Sequence, residues 1–115
     1  KNLKQEYLKS SFYVCSSIYE SFGLTVAEAL VHNLPVIAFK SCTGVNKIIK
    51  DYKNGILIDS KYYDYQNLAL TMIKLASNRK LIKDLSNYNN KKIFYKNSKK
   101  MVVKQWIDLI NTLSK

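Results

Sequence analysis

Pro35-Val36-Ile37-Ala38-Phe39 is apolar at every position and is too short for a buried helix. A strand with one wet face alternates polar and apolar residues. An unbroken run of this length is covered on both faces, as the strands of a parallel sheet are. Parallel neighbours need crossover connections, so strands and helices should alternate on either side of it. The flanking sequence meets that demand. Phe12-Tyr13-Val14-Cys15 and Gly55-Ile56-Leu57-Ile58 read as two further buried strands. Residues 2–10 read as the end of a helix, and Ser16 to Gly23 as a polar turn. Thr25 to Val31 reads as a helix with Val26, Ala27, Leu30 and Val31 on its apolar face. Asn33, which tolerates the left-handed conformation, and Pro35 stop it. Lys40 to Gly44 is a small-residue loop. A short helix is expected over Asn46 to Tyr52, closed by a turn at Asn54-Gly55.

Beyond Asp59 only helical spacing remains. Leu68, Met72, Leu75 and Ala76 mark one helix begun near Asp64; Leu81, Ile82 and Leu85 mark another. Met101, Val102, Trp106, Leu109 and Leu113 mark a last amphipathic helix. The expected fold class is therefore α/β, a partial Rossmann-like unit with a short parallel sheet of about three strands followed by carboxyl-terminal helices. Three strands leave edges that call for a neighbour. With 115 residues the chain reads as a single partial domain, 1–60 forming the α/β part and 61–115 a helical tail. Its first residue is not Met, so it reads as a cut or processed piece. No stretch of eighteen apolar residues occurs and the first residues lack an apolar leader. Cys15 and Cys42 have no metal-type spacing and suit a reducing cytoplasm.

Charge needs care before it is read as function. The formal net charge is +11, made by eighteen Lys and Arg79 alone. Nucleic-acid readers lean on the bidentate fork of Arg, so a nucleic-acid partner is not expected. Residues 61–115 carry 12 bases against 3 acids. A solvated lysine-rich helical face is the plain reading, and attraction to an anionic membrane surface is the alternative.

Chemistry concentrates in one segment. Only three glutamates occur, and Glu20 and Glu28 flank Ser21-Phe22-Gly23-Leu24-Thr25-Val26-Ala27. Glu20 falls in the loop after a strand and Glu28 about one turn into the next helix, at the sheet edge where open α/β folds bind ligands. The backbone amides around Gly23, Leu24 and Thr25 are free donors of a helix start and attract phosphate. Thr25 and Glu28, three apart, share a face. An anion cradle between two carboxylates suits a diphosphate flanked by hydroxyls, the layout of a nucleotide sugar.

Ser17 through Leu30, with Asn33-Leu34-Pro35-Val36-Ile37-Ala38 behind it, closely resembles the donor-site signature of family 4 (group 1) glycosyltransferases. Gly44-Val45-Asn46-Lys47-Ile48-Ile49 and Asn54-Gly55-Ile56-Leu57-Ile58 are similar to the family's next loop, helix and strand. The resemblance covers roughly residues 5–115. It implies the latter part of the carboxyl-terminal donor-binding domain of a GT-B enzyme, mostly a retaining class. By position, Glu20 would bond donor-sugar hydroxyls beside the anomeric centre and is the catalytic candidate, as a positioning group rather than a nucleophile. Ser21 belongs to the same donor loop. Phe22, Gly23 and Leu24 would present amides to the sugar, with Leu24 and Thr25 reaching the diphosphate, and Glu28 would accept from ribose hydroxyls. No resident cofactor or metal is implied; the donor substrate is a nucleotide sugar, UDP-linked in the first instance. The acceptor, a glycan or a lipid-linked glycan in surface polysaccharide synthesis, would be held by an amino-terminal domain. Cytoplasmic placement, with peripheral contact at the inner face of the membrane, follows from that role.

Two positions depart from the family pattern: Lys47 stands where many members carry Glu, and Asn33 replaces a common Gly. The family's upstream Gly-rich turn and its diphosphate-gripping Arg and Lys have no counterpart in the sequence, so the chain alone is expected to be inactive. His32 reads as a structural histidine, Cys15 and Cys42 as small buried side chains, and Tyr62, Tyr63 and Tyr65 as a self-packed loop. Trp106, Leu109 and Leu113 form an apolar stripe, and the chain is expected to self-associate through this helix or through the sheet edge that lacks a neighbour. Two other readings stay open: a non-catalytic remnant or interaction module, and a basic membrane- or nucleic-acid-associating domain.

Overall fold

The computed structural model describes residues 2–61 and 64–114. Helix α1 (Leu3–Lys9) leads into β1 (Tyr13–Cys15), α2 (Leu24–Val31), β2 (Val36–Phe39) and β3 (Gly55–Ile58). Four helices follow: α3 (Tyr65–Ala76), α4 (Arg79–Ser86), α5 (Lys91–Asn97) and α6 (Lys99–Leu113). The sheet order is β1-β2-β3, parallel throughout, with Tyr13 opposite Val36 and Val36 opposite Gly55. All four residues of β2 are buried, as its unbroken apolarity requires.

Two hydrophobic clusters cover the two faces of the sheet. One joins Val26, Ala29 and Leu30 of α2 to Val36, Ala38, Val45 and Ile49. The other joins Ile37, Phe39, Ile56 and Ile58 to Leu75 of α3 and Leu85 of α4. Alternate residues of β2 feed the two clusters, the expected consequence of the strand's period of two. Of the predicted α3 face, Leu75 is buried and Leu68 half-buried, while Met72 is exposed. Asp64 caps α3 by accepting from the Asn67 amide at 3.0 Å, which lowers its carboxyl pKa. Asn78 caps α4 through the Leu81 amide at 2.9 Å. The turn after α2 falls where Asn33 was expected to allow it, at φ 57°.

Three expectations need correction. Residues 46–52 form successive turns and no regular helix. The Asn46 and Ile49 amides make helical bonds to Cys42 and Val45 carbonyls at 2.9 and 3.1 Å. The next helical bond is lost because the Lys50 amide turns to the Asn54 side chain at 2.7 Å. The turn expected at Asn54-Gly55 spans 52–54, with Tyr52 in the left-handed region at φ 53°. Second, α5 had no periodic signal in the sequence; α6, the last helix marked there, begins at Lys99 and is capped by Ser98. Third, Tyr65, expected in a loop, opens α3 and is exposed. Tyr62, Tyr63 and Lys115 lie outside the described residues.

Helix α6 stands apart. None of its residues is buried and its principal contact is α5, so the molecule is drawn out to 57 Å along one axis. Trp106 is 61% exposed and Leu113 77%. The predicted stripe is therefore present and uncovered.

Candidate functional site

The carboxyl end of β1 opens into residues 16–23, which hold Glu20 and Ser21 and end at Gly23. Gly23 occupies the N-cap of α2 with φ 78°, a conformation that L side chains rarely adopt. A glycine there has no side chain to cap the helix, so the cap residue offers no side-chain acceptor to the first-turn amides of α2. The Glu20 segment is fixed from below. Gly44 lies so close that an added Cβ would run into the Glu20 carbonyl and stand 2.9 Å from the Ser21 carbonyl carbon. Glu20 is half-buried and accepts from the Ser17 hydroxyl at 2.9 Å. It does not cap α2, the structural role a turn acid would have there.

On α2, Thr25 and Glu28 are exposed and each is held by a tyrosine from the preceding elements. The Tyr13 hydroxyl donates to Thr25 Oγ1 at 3.1 Å, and the Tyr7 hydroxyl donates to Glu28 Oε2 at 3.3 Å. The rings of Tyr7 and Tyr13 meet edge to face at 6.3 Å, and Tyr7 stacks on His32 at 5.3 Å. His32 Nδ1 lies 2.8 Å from the Glu28 carbonyl, as expected of a structural histidine. Glu28 thus pairs with a phenol rather than a lysine, and its Oε1 keeps no partner among the described residues. Phe22 and Leu24 are exposed, at 37% and 68%. The structure brings Thr25 and Glu28 onto one tyrosine-braced face and sets Glu20 in the loop leading to it.

Tyr7 and Tyr13 are the site residues that sequence reasoning missed, because nothing local signals that α1 packs on α2. Burial first, then the nearby Glu28 carboxylate, raises the Tyr7 pKa. A raised folded value stabilises below the unfolded tyrosine pKa of about 10 and loses that contribution as pH climbs through the folded value. Wild-type stability should therefore fall more steeply above about pH 10 than that of Tyr7→Phe, as read by urea melts in that range. Parallel curves would remove the Tyr7–Glu28 bond from the account.

Cys42 is fully buried beneath the Glu20 segment, as its reading as a small buried side chain requires. Burial pushes its thiol up, Cys15 and Glu20 add to this, and hydrogen bonds to the Val45 and Glu20 backbone oppose it. It stays a neutral packing group. Cys15 is also buried and free. Among the described residues no cluster of His, Cys, Asp and Glu could hold a metal, and no helix is long and apolar enough to cross a membrane.

Residues 1–92 match the family model described as glycosyl transferases group 1. The chain is 30% identical over 99 residues to the poly(ribitol-phosphate) alpha-N-acetylglucosaminyltransferase of Staphylococcus aureus, covering 86% of this chain and 20% of that protein. It is 33% identical over 69 residues to sucrose-phosphate synthase 4 of Arabidopsis thaliana, covering 60% and 6%. Its fold superposes on S. aureus TarM, solved with fondaparinux, alpha-GlcNAc-glycerol and UDP, with a TM-score of 0.80 and 28% identity. That match covers 96% of this chain and 22% of TarM. The carboxyl-terminal domain of a group 1 glycosyltransferase from Francisella tularensis superposes with a TM-score of 0.65 and 30% identity, over 82% and 46% of the two chains. The chain spans about a fifth of the length of the first of these relatives. The parallel sheet and helices are those of the GT-B glycosyltransferases that the signature between Glu20 and Glu28 resembled, and the chain belongs to the group 1 glycosyltransferase family.

Proposed function

We propose that this chain is the donor-binding part of a retaining, nucleotide-sugar-dependent hexosyltransferase of surface-glycan synthesis. The observation that carries it is the tyrosine-braced Thr25–Glu28 face at the uncapped start of α2, reached through the Glu20 loop. Such a helix start supplies preorganised donors to a diphosphate, and they are worth most where charge grows on the departing phosphate. Glu28, with Oε2 held by Tyr7, presents Oε1 to ribose hydroxyls. Glu20, steadied by Ser17, positions the donor sugar, while Ser21 to Leu24 line its approach. Positioning of this kind suits a retaining transfer in which the leaving phosphate assists on its own face.

UDP is the first-choice nucleotide, since the TarM structure it superposes on holds UDP. Residues 1–60 would carry the donor site and 61–115 the helical tail. The acceptor would be a glycan or lipid-linked glycan held by an amino-terminal domain, against which the bare stripe of α6 would pack. A cytoplasmic enzyme at the inner membrane face fits that task.

Ligand-observed NMR with UDP, UDP-hexoses and GDP-mannose, against a salt control, tests the reading. A nucleotide sugar should give saturation-transfer contact that Glu28→Ala weakens at least tenfold, about 1.4 kcal/mol. Contact untouched by Glu28→Ala, or none with any nucleotide, would overturn it.

A further inference from the structure

Phe22, the connection between β2 and β3, and the start of α5 line a half-open cavity of about 300 Å³. Lys47 and Lys50 of the connection and Lys92 of α5 line it, together with Phe22, Tyr88 and Asn89. No carboxylate lines it. Among the described residues the one salt bridge lies elsewhere, between Lys40 and Asp59. Three lysines lining one hollow, in a chain already at +11, favour an anion among them.

The backbone that carries these lysines is fixed. Asn54, fully buried, accepts from the Lys50 amide at 2.7 Å and donates to Asn90 Oδ1 at 2.9 Å. Asn90 in turn donates to the Leu30 carbonyl at 2.9 Å. A buried polar network of this kind holds a unique arrangement when its members are satisfied. Here it ties the lysine-bearing connection to α5, two residues before Lys92. The connection gives up a regular helix to make the Asn54 bond and accepts a left-handed Tyr52 at φ 53°. The two walls are therefore built, rather than left to the wandering of long side chains.

From this we infer that the cavity binds a phosphorylated sugar or polyol. Lysines supply point charges for a phosphate. The Phe22 and Tyr88 rings offer flat apolar faces to a carbohydrate's C–H surface. Asn89 spends its carbonyl on the Lys91 amide at 3.1 Å, which leaves its NH₂ to donate to hydroxyls. The volume falls at the lower end for small-ligand sites, enough for one such unit. Phe22 belongs to the loop between Glu20 and Gly23, so an occupied cavity touches that loop, and Glu28 is not among the residues that line it. The ligand is either a free sugar phosphate or one unit of a longer phosphodiester chain. The inference rests on the lysine cavity itself and not on the donor reading.

Amide-detected NMR of the chain distinguishes the outcomes. Glucose 6-phosphate and glycerol 3-phosphate are titrated beside inorganic phosphate, glucose, sodium chloride and a short glycerol-phosphate oligomer. The phosphorylated compounds should shift Phe22, Lys47, Lys50 and Asn89 saturably and bind at least fivefold tighter than inorganic phosphate. The Lys47→Gln/Lys92→Gln double variant alters only exposed side chains and should lose at least tenfold in affinity with its melting temperature unchanged. A tighter oligomer would identify the polymer as the natural source; a monomer of equal affinity would identify the free ester. Glu28→Ala should leave this binding intact, so loss of UDP contact and loss of sugar-phosphate contact would be separate failures. Shifts spread over Lys99, Lys100 and Lys104, equal responses to chloride, or indifference to the double variant would overturn the inference.

Discussion

Gly44→Ala is expected to lower the melting temperature by on the order of 10 °C and to abolish Glu28-dependent nucleotide-sugar contact. The new Cβ would meet the Glu20 carbonyl oxygen and lie 2.7 and 2.9 Å from the Glu20 and Ser21 carbonyl carbons. All three are backbone atoms, so no rotamer change relieves the clash. Gly44 is buried beside Val45, itself wholly inside the α2-side core, and cannot retreat. Overpacking of this kind typically costs about 1–3 kcal/mol, and a domain of this size loses roughly 4–8 °C per kcal/mol. The functional loss should exceed what stability explains, because the segment displaced is the one that carries Glu20. Thr43→Ala, next door and exposed, is the matched control and should change neither property. Thermal melts by circular dichroism, paired with the UDP-sugar NMR assay below the melting temperature, check both halves. An unchanged melt with binding intact would mean that Gly44 does not support the Glu20 loop.

The strands and the α2 boundaries were legible because they are written locally. An unbroken apolar run gives a covered strand, and Asn33 before Pro35 gives a helix stop. The proposed donor segment stood out in the sequence for the same reason, since its two glutamates are spaced by a turn and one helical step. What the sequence hid was made by contacts far apart in the chain. Tyr7 reaches Glu28 across 21 positions, and Asn54 reaches Asn90 across 36. The helix expected over 46–52 failed for that reason: a buried side chain, fixed by a distant partner, outbid a backbone carbonyl for the Lys50 amide. Helix α5 escaped notice because its seven residues are too few for periodicity to speak. Lys47 illustrates the remaining limit. As a residue it is only a departure from a family pattern; beside Lys50 and Lys92 it becomes one corner of a cavity.

Asn54→Ala should destabilise the chain by about 3 kcal/mol, a large effect for removing one amide. Asn54 is fully buried and makes its bonds to the Lys50 amide and Asn90 within the protein. Its loss orphans the Lys50 amide and Asn90 Oδ1, each at about 1–3 kcal/mol when buried and unpaired. Part of that cost can be recovered, because the freed Lys50 amide regains the option of a helical bond to the Asn46 carbonyl. Urea unfolding of Asn54→Ala, Asn90→Ala and the double variant measures the coupling. The double variant should cost less than the sum of the singles by about 1 kcal/mol, since each single strands the other's partner. Strictly additive costs would mean that the two amides fill space without acting on one another. The same variants bear on the lysine cavity. If the Asn54–Asn90 link sets the spacing of its walls, Asn54→Ala should weaken sugar-phosphate binding even where the chain remains folded, although no lysine has been changed. Binding preserved in a folded Asn54→Ala variant would show instead that the lysine side chains find the anion without a fixed frame.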